Sequence, residues 1–218
     1  MSIKNKFALQ PLVLAALLGA AASAQATVTV YTTQASFLAA VTAPGVDTFT
    51  GFSISGATPS PINRTAGSYG YTATASTSSF FGAGTVANPW LSTNIATDSV
   101  TFNGFTGGVS AIGGNFFGSN ISGLFAAGDV VLTATDASGT VTQTITGATT
   151  SSFIGFVSNG PLLSATLASV RPVSGALWPT ADNLILATVA AVPEPQTYAL
   201  LLSGLGVLGL IARRRRQG

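Results

Sequence analysis

The chain contains neither cysteine nor histidine, and only 6% of its 218 residues are charged, against about 25% in an ordinary soluble domain. Each shortage excludes something. Without cysteine there is no disulfide framework, no thiolate nucleophile and no zinc–thiolate site. An oxidising compartment stays open, because a domain of this length can build its core without cross-links. Without histidine the usual general base and the commonest metal ligand are missing. There is no GxSxG elbow and no Walker loop. An enzyme would have to use a pair of carboxylates, as glycoside hydrolases do, and five aspartates scattered over the body single out no such pair. The chain is therefore read as non-catalytic, with no cofactor.

The few charges are also segregated. Both lysines, Lys4 and Lys6, lie near the N-terminus, and four of the six arginines, Arg213, Arg214, Arg215 and Arg216, lie near the C-terminus. Between them the body holds Arg64 and Arg171 against Asp47, Asp98, Asp129, Asp136 and Asp182. The net charge of +2 thus belongs to the ends. A mildly acidic body without a basic patch is repelled by phosphates, so nucleic acid is excluded as a partner.

The two ends read as addresses. In MSIKNKFALQPLVLAALLGAAASAQA, the lysines form a positive n-region and Leu12 to Ala22 an apolar core. Ala22-Ser23-Ala24 and Ala24-Gln25-Ala26 are both small-x-small cleavage sites. Residues 1–26 are read as a signal-peptide helix, cleaved by signal peptidase after Ala26, with Ala24 as second choice. A retained anchor or a core helix is the competing reading, and the small-residue exit argues against it. At the other end, residues 197–212 carry no charge and are rich in Leu and Gly. As a helix they span roughly 24 Å, short of the ~30 Å hydrocarbon layer, and flanking arginines can snorkel to cover the difference. Arginines favour the cytoplasmic side. That leaves the body, residues 27–191, outside, and the N-terminal lysines ask for the same orientation. Between body and apolar run stands Val192-Pro193-Glu194-Pro195. Proline fixes φ and lacks an N–H, so this stretch joins neither sheet nor helix and stays accessible.

The body is dominated by Thr, Ser, Gly, Ala and Val. Thr27 to Tyr31 alternates as a strand. Thr33 to Val41 reads as a short helix capped by Thr32 or Thr33 and stopped by Pro44-Gly45. Ser68 to Ser76 alternates with Tyr69, Tyr71, Ala73 and Ala75 on one face. Asp129 to Thr146 reads as a β-hairpin: Val130, Leu132 and Ala134 share a face with Val141 and Ile145, and Asp136-Ala137-Ser138-Gly139 makes the turn. Further strands are expected at 99–102, 109–117, 153–157, 162–170 and 183–189. Residues 50–67, with Pro59 and Pro61, read as a long loop. Many short strands with turn signals and no fixed repeat predict an all-β, antiparallel, jelly-roll-like sandwich with one short N-terminal helix.

Two kinds of site compete with plain structure. Trp90, Trp178, Tyr69 and Tyr71, with Phe116 and Phe117, could stack on sugar rings, with Asn and Asp fixing hydroxyls. Core packing is the preferred reading for the phenylalanines. The tryptophans each adjoin a proline and are placed in loops. Asp182 and Asn183, with Asp47, Asp98 or Asp136, offer hard oxygen ligands to calcium. No DxDxDG-type loop occurs, so no metal is assigned. Turn capping is the better reading of Asp136 and Asp129, and a bulge the better reading of Gly113-Gly114.

A Pro-Glu-Pro, a short apolar helix and an arginine cluster, in that order, resemble the PEP-CTERM sorting signal of Gram-negative bacteria that make exopolysaccharide. Pro193, Glu194 and Pro195 match the namesake motif. The resemblance covers Val192 to Arg216 and implies a substrate of exosortase, a multispanning membrane protease or transpeptidase. The arrangement is analogous to LPXTG sorting, though no LPXTG occurs here. The strings AIGGNFFGSNISGLFAAGDVVLTATDASGT, SSFIGFVSNGPLLSATLAS and WPTADNLIL are similar to those of secreted PEP-CTERM proteins as a group. The expected course is export, a transient inner-membrane anchor through the C-terminal transmembrane helix, exosortase processing, and residence at the cell surface or in the extracellular matrix. The expected role there is structural or adhesive, with exopolysaccharide as partner. A dedicated carbohydrate-binding module with a defined pocket is the alternative, and a glycan-active enzyme the weaker one.

Overall fold

Most of the body alternates small or apolar residues with Thr, Ser or Asn, and in the computed structural model these stretches pair into antiparallel sheets. The structure describes residues 27–77, 79–189 and 202–206. In chain order the elements are β1 (Val28–Tyr31), α1 (Gln34–Ala40), β2 (Thr42–Asp47), β3 (Ala57–Pro59), β4 (Ile62–Ala66), β5 (Tyr69–Ala75), β6 (Ser79–Thr85), β7 (Asn88–Thr93), β8 (Val100–Asn103), β9 (Ala111–Ser119), β10 (Phe125–Ala126), β11 (Gly128–Asp136), β12 (Gly139–Ala148), β13 (Phe153–Ser158), β14 (Leu162–Ser169) and β15 (Trp178–Thr188). One sheet has nine strands along the path β1-β13-β9-β15-β7-β6-β3, with β10 beside β9 and β2 beside β15. The other has six, in the order β12-β11-β14-β8-β5-β4.

Side chains alternate along a strand, so each sheet turns one face inward. Tyr71, Val100, Phe102, Leu132 and Leu167 of the six-stranded sheet share one buried core with Phe80, Leu91, Phe116, Phe156 and Leu184 of the nine-stranded sheet. A second, smaller cluster lies on the other side of the nine-stranded sheet, where Phe37 of α1 packs with Ala111, Phe153, Val157 and Ile185. Seven residues are too few for an isolated helix. Thr33 caps this one by accepting the Ser36 N–H at 3.2 Å. Phe37 anchors it between the rings of Tyr31 and Phe153, at 6.3 and 5.5 Å. Gly155 makes the seat: a Cβ there would strike the Phe37 ring.

The β11–β12 hairpin forms as its sequence predicts, with Val130 opposite Ile145 and Ala134 opposite Val141. Asp136 closes it. Its Oδ1 accepts the N–H groups of Ser138 and Gly139 at 2.8 and 3.1 Å, and its Oδ2 accepts the Ser158 hydroxyl at 2.7 Å. Burial alone would raise this carboxyl's pKa. The hydrogen bonds from Ser138, Ser158 and the turn backbone outweigh burial and hold it below the ordinary range. Asp129 accepts the Gly147 N–H at 2.8 Å across the bulge at the strands' far end.

Three local expectations are corrected. The helix stops at Ala40, and Pro44-Gly45 lies inside β2, which pairs with β15 through a register shift. Gly45 is needed there because a Cβ would collide with the Ala66 carbonyl. Residues 50–67 are not one loop: β3 and β4 lie within them. Pro59 is tolerated because β3 is an edge strand. Trp90 and Trp178 sit in strands rather than loops. Pro89 and Pro179 are each the second residue of their strand, where a missing donor costs little.

One corner ties the sheets together. Asp47, at the end of β2, takes both arms of Arg64 from β4, Nε at 2.6 Å and an Nη at 2.7 Å. It also accepts the Tyr71 hydroxyl from β5 at 2.7 Å and the Phe49 N–H at 2.8 Å. The Arg64 guanidinium stacks 5.4 Å over the Phe49 ring. The hydrogen bond to Asp47 raises the Arg64 pKa, although burial works against it. Burial first, and the Asp47 charge second, push the Tyr71 hydroxyl well above its usual range. Asp47→Asn leaves Arg64 without a counter-charge and should cost about 3 kcal/mol, read as a lower denaturant midpoint. An unchanged midpoint would mean that the pair does not hold the corner.

Candidate functional site

The outward side of the nine-stranded sheet carries most of the residues with chemistry to offer. Ser92 pairs with Thr180, and Leu91 with Ala181. Since Leu91 and Ala181 face the core, alternation turns Trp90, Ser92, Trp178, Thr180 and Asp182 to the opposite face. Phe117, opposite Thr180, and Ser119, opposite Trp178, join them from β9. The two tryptophans therefore share one face, roughly 13 Å apart along the strand direction.

Between the indoles lies a buried set of hydroxyls. Thr180 Oγ1 lies within hydrogen-bond distance of Ser119 Oγ at 2.8 Å and Ser92 Oγ at 3.1 Å, with one proton to give, and Ser92 Oγ donates to the Pro179 carbonyl at 3.1 Å. Above them opens a cleft of ≈ 270 Å³ walled by Phe81, Trp178, Asn94, Asn120 and Ile121. None of its lining residues is charged. Trp178 is fixed by its Nε1–H, which donates to the Asn94 carbonyl at 3.3 Å. Trp90 stands outside this cleft. It is half-buried, with its ring edge-on to Phe117 at 4.9 Å.

Asp182 is the anomaly of this face. It is 5% exposed, its Oδ1 has no well-formed hydrogen bond among the described residues, and its Oδ2 accepts a long one from the Asn88 amide at 3.4 Å. The indole N–H of Trp90 is likewise buried; it lies near this carboxyl but, among the described residues, forms no well-aligned hydrogen bond. Burial pushes the Asp182 carboxyl above its ordinary range, and Asn88, the Asn183 N–H and Trp90 only pull it part of the way back. Asn183 follows at φ 50°, where β15 bulges against β9.

The other expected site residues fall elsewhere. Tyr69 and Tyr71 belong to the core, at 4% and 3% exposure. Their hydroxyls donate to the Ala43 carbonyl and to Asp47, so their rings present no face for a sugar. Phe116 and Phe117 are buried, as preferred. The calcium candidates are not assembled around Asp182 and Asn183. Asp47 is paired with Arg64, Asp136 closes its turn, and Asp98 accepts from Ser76 and Thr77 at 3.2 and 2.5 Å. Among the described residues no group of three or more Asp, Glu, His or Cys could hold a metal ion. Sequence reasoning missed the Asp47–Arg64–Tyr71 cluster. The available signal was that a nearly uncharged body has to find a partner for each buried charge.

Of the tail, residues 202–206 are helical. Among the described residues no helix is long and apolar enough to cross a membrane. The signal-peptide residues with Ala24 and Ala26, the motif residues Pro193, Glu194 and Pro195, the rest of the apolar run and Arg213 to Arg216 lie outside the described residues. Sequence comparison speaks to this region directly: the family model of the PEP-CTERM protein-sorting motif matches residues 191–216. No curated protein and no solved structure matches the chain. The chain carries a PEP-CTERM sorting motif, which implies export and processing by exosortase.

Asp182 also yields a test. A raised carboxyl pKa means that the folded protein binds this proton more tightly than the unfolded chain does. The contribution to stability is full below the unfolded value, about 3.9, and is lost as pH rises through the folded value. Asp182→Asn should therefore raise the melting temperature at pH 7, by about 1 kcal/mol or more in stability. The gain should shrink as pH falls toward 4. Equal melting temperatures at pH 7 would mean that the orphan oxygen is satisfied.

Proposed function

We propose that this chain is an exported surface or matrix protein delivered by exosortase sorting. Its body is a jelly-roll-like β-sandwich with a structural or adhesive role in exopolysaccharide. The observation that carries this reading is the motif at residues 191–216, in which Pro193-Glu194-Pro195, an apolar run and four arginines follow one another. On this reading the chemistry belongs to exosortase, and the chain is its substrate. The N-terminal segment engages the export machinery and signal peptidase. The apolar run crosses the inner membrane transiently, with the arginines inside. The mature protein then leaves for the cell surface or matrix. The body itself is non-catalytic and needs no cofactor. With two arginines against five aspartates the body is only mildly acidic, which suits contact with a neutral polysaccharide rather than an anionic one.

Two variants test the sorting reading. Replacing Arg213 to Arg216 by glutamates removes the orientation cue, and processing should fail. Glu194→Ala lies outside the apolar run, so it should block cleavage and leave membrane insertion intact. Normal processing of both variants would overturn the reading.

The uncharged cleft beside Trp178 supports a second reading, a carbohydrate-binding module that seats a sugar ring against the indole. Glycan-array binding should then be lost in Trp178→Ala and kept in Tyr69→Phe, whose ring is buried. Binding unaffected by Trp178→Ala, or absent from the wild type, returns the body to the structural role.

A further inference from the structure

An open sheet ends in edge strands, and each offers unpaired backbone N–H and C=O groups to any strand that fits. Most edges here are blunted. β1 has four residues, β3 has three and ends in Pro59, and β4 follows Pro61 and carries Arg64. β12 is different. It runs ten residues, pairs among the described residues only with β11, and contains neither a charge nor a proline. Thr140, Thr142, Thr144 and Thr146 are all exposed. The Gln143 amide donates to the Thr144 carbonyl at 3.1 Å, standing in for a missing neighbour strand.

The segment Thr140-Val141-Thr142-Gln143-Thr144-Ile145-Thr146 is also chemically symmetric about its central glutamine. Threonines flank Gln143, then Val141 and Ile145, then threonines again. A second copy laid antiparallel and centred on Gln143 sets Thr142 against Thr144, Val141 against Ile145, and Thr140 against Thr146. By alternation the threonine pairs all fall on the outer face and the aliphatic pairs on the core face. The sheet already uses this pairing: Thr133 meets Thr142 at 3.2 Å, Thr135 meets Thr140 at 3.0 Å, and Thr101 meets Thr166 at 3.2 Å. An added copy would continue the same rows. A patch that complements itself about a two-fold axis is the requirement for an isologous dimer. An uncharged, proline-free run of β-formers is also the composition that pairs most readily.

We propose that β12 is a homotypic docking edge, through which two copies of this chain join their six-stranded sheets into one continuous sheet about Gln143. The partner is a second copy because the symmetry of the segment matches its own reverse, and because identical edges without charge do not repel. The inference goes beyond the sorting reading and does not depend on it.

Light scattering on the full chain, in detergent where the tail is retained, should give a dimer at micromolar concentration. Thr142→Lys with Thr144→Lys places lysine opposite lysine across the axis and should weaken the dimer at least tenfold. Thr142→Lys with Thr144→Glu places lysine opposite glutamate and should restore it. Both changes lie on the exposed face, and circular dichroism verifies that the fold is kept. Gln143→Cys gives a readout that needs neither charged variant. The chain has no cysteine of its own, and this register brings residue 143 against its own copy, so mild oxidation of the Gln143→Cys variant should yield a covalent dimer. A monomeric wild type, a lysine–lysine variant that dimerises as tightly, or a failure of the Gln143→Cys variant to cross-link would overturn the proposal.

Discussion

The bidentate pair between Asp47 and Arg64 holds the geometry on which the rest of the body depends. β2 is hydrogen-bonded into the nine-stranded sheet through β15, while the Asp47 carboxylate grips β4 and β5 of the six-stranded sheet. A buried ion pair is weak evidence for stability, because desolvation offsets much of the attraction. Its better-attested use is to fix a register, and this corner fits that use. The backbone of Gly45 lies against Ala66, and Tyr69 reaches back to the Ala43 carbonyl. Tyr71 turns its ring into the shared core against Phe102 at 6.0 Å. With that edge fixed, alternation carries the inward pattern from β5 across β8 and β14 to β11.

The scarcity of charge has opposite consequences on the two outer surfaces. On the six-stranded sheet, threonines satisfy one another across strands, and the surface is neutral and regular. On the nine-stranded sheet, hydroxyls, two indoles and one poorly satisfied carboxylate share a face. Asp182 is held there against its own preference, since burial without a full set of partners disfavours its charge. Residues kept at a cost to stability collect at functional sites. That concentration makes the Trp178 face, rather than the threonine face, the body's better candidate for contact with a ligand.

The parts legible from sequence were those governed by neighbours in the chain. The β11–β12 hairpin follows from strict alternation and one Asp-to-Gly turn. The helix follows from Thr33 and a short apolar stripe. The sorting motif is a linear order of residues and needs no fold to be read. The parts that escaped depend on contacts between distant residues. β3 and β4 were hidden by Pro59 and Pro61, because sequence does not reveal which strand will lie at an edge. Tyr69 and Tyr71 were rightly put on one face, but nothing local says which side the core occupies. β6 lacks clean alternation, because Gly82 and Gly84 interrupt the pattern. The partnership of Asp47 with Arg64 spans 17 positions and exists only once two sheets meet.

The central claim is that the tail is an address removed in processing, which leaves the two-sheet body as the mature protein. Intact-mass analysis of the protein recovered from its native host tests it most directly. Processing at both ends predicts a chain that begins near Thr27 and ends between about residues 193 and 197. A recovered chain that still carries Leu200 to Arg216 would contradict it and make the tail a permanent anchor.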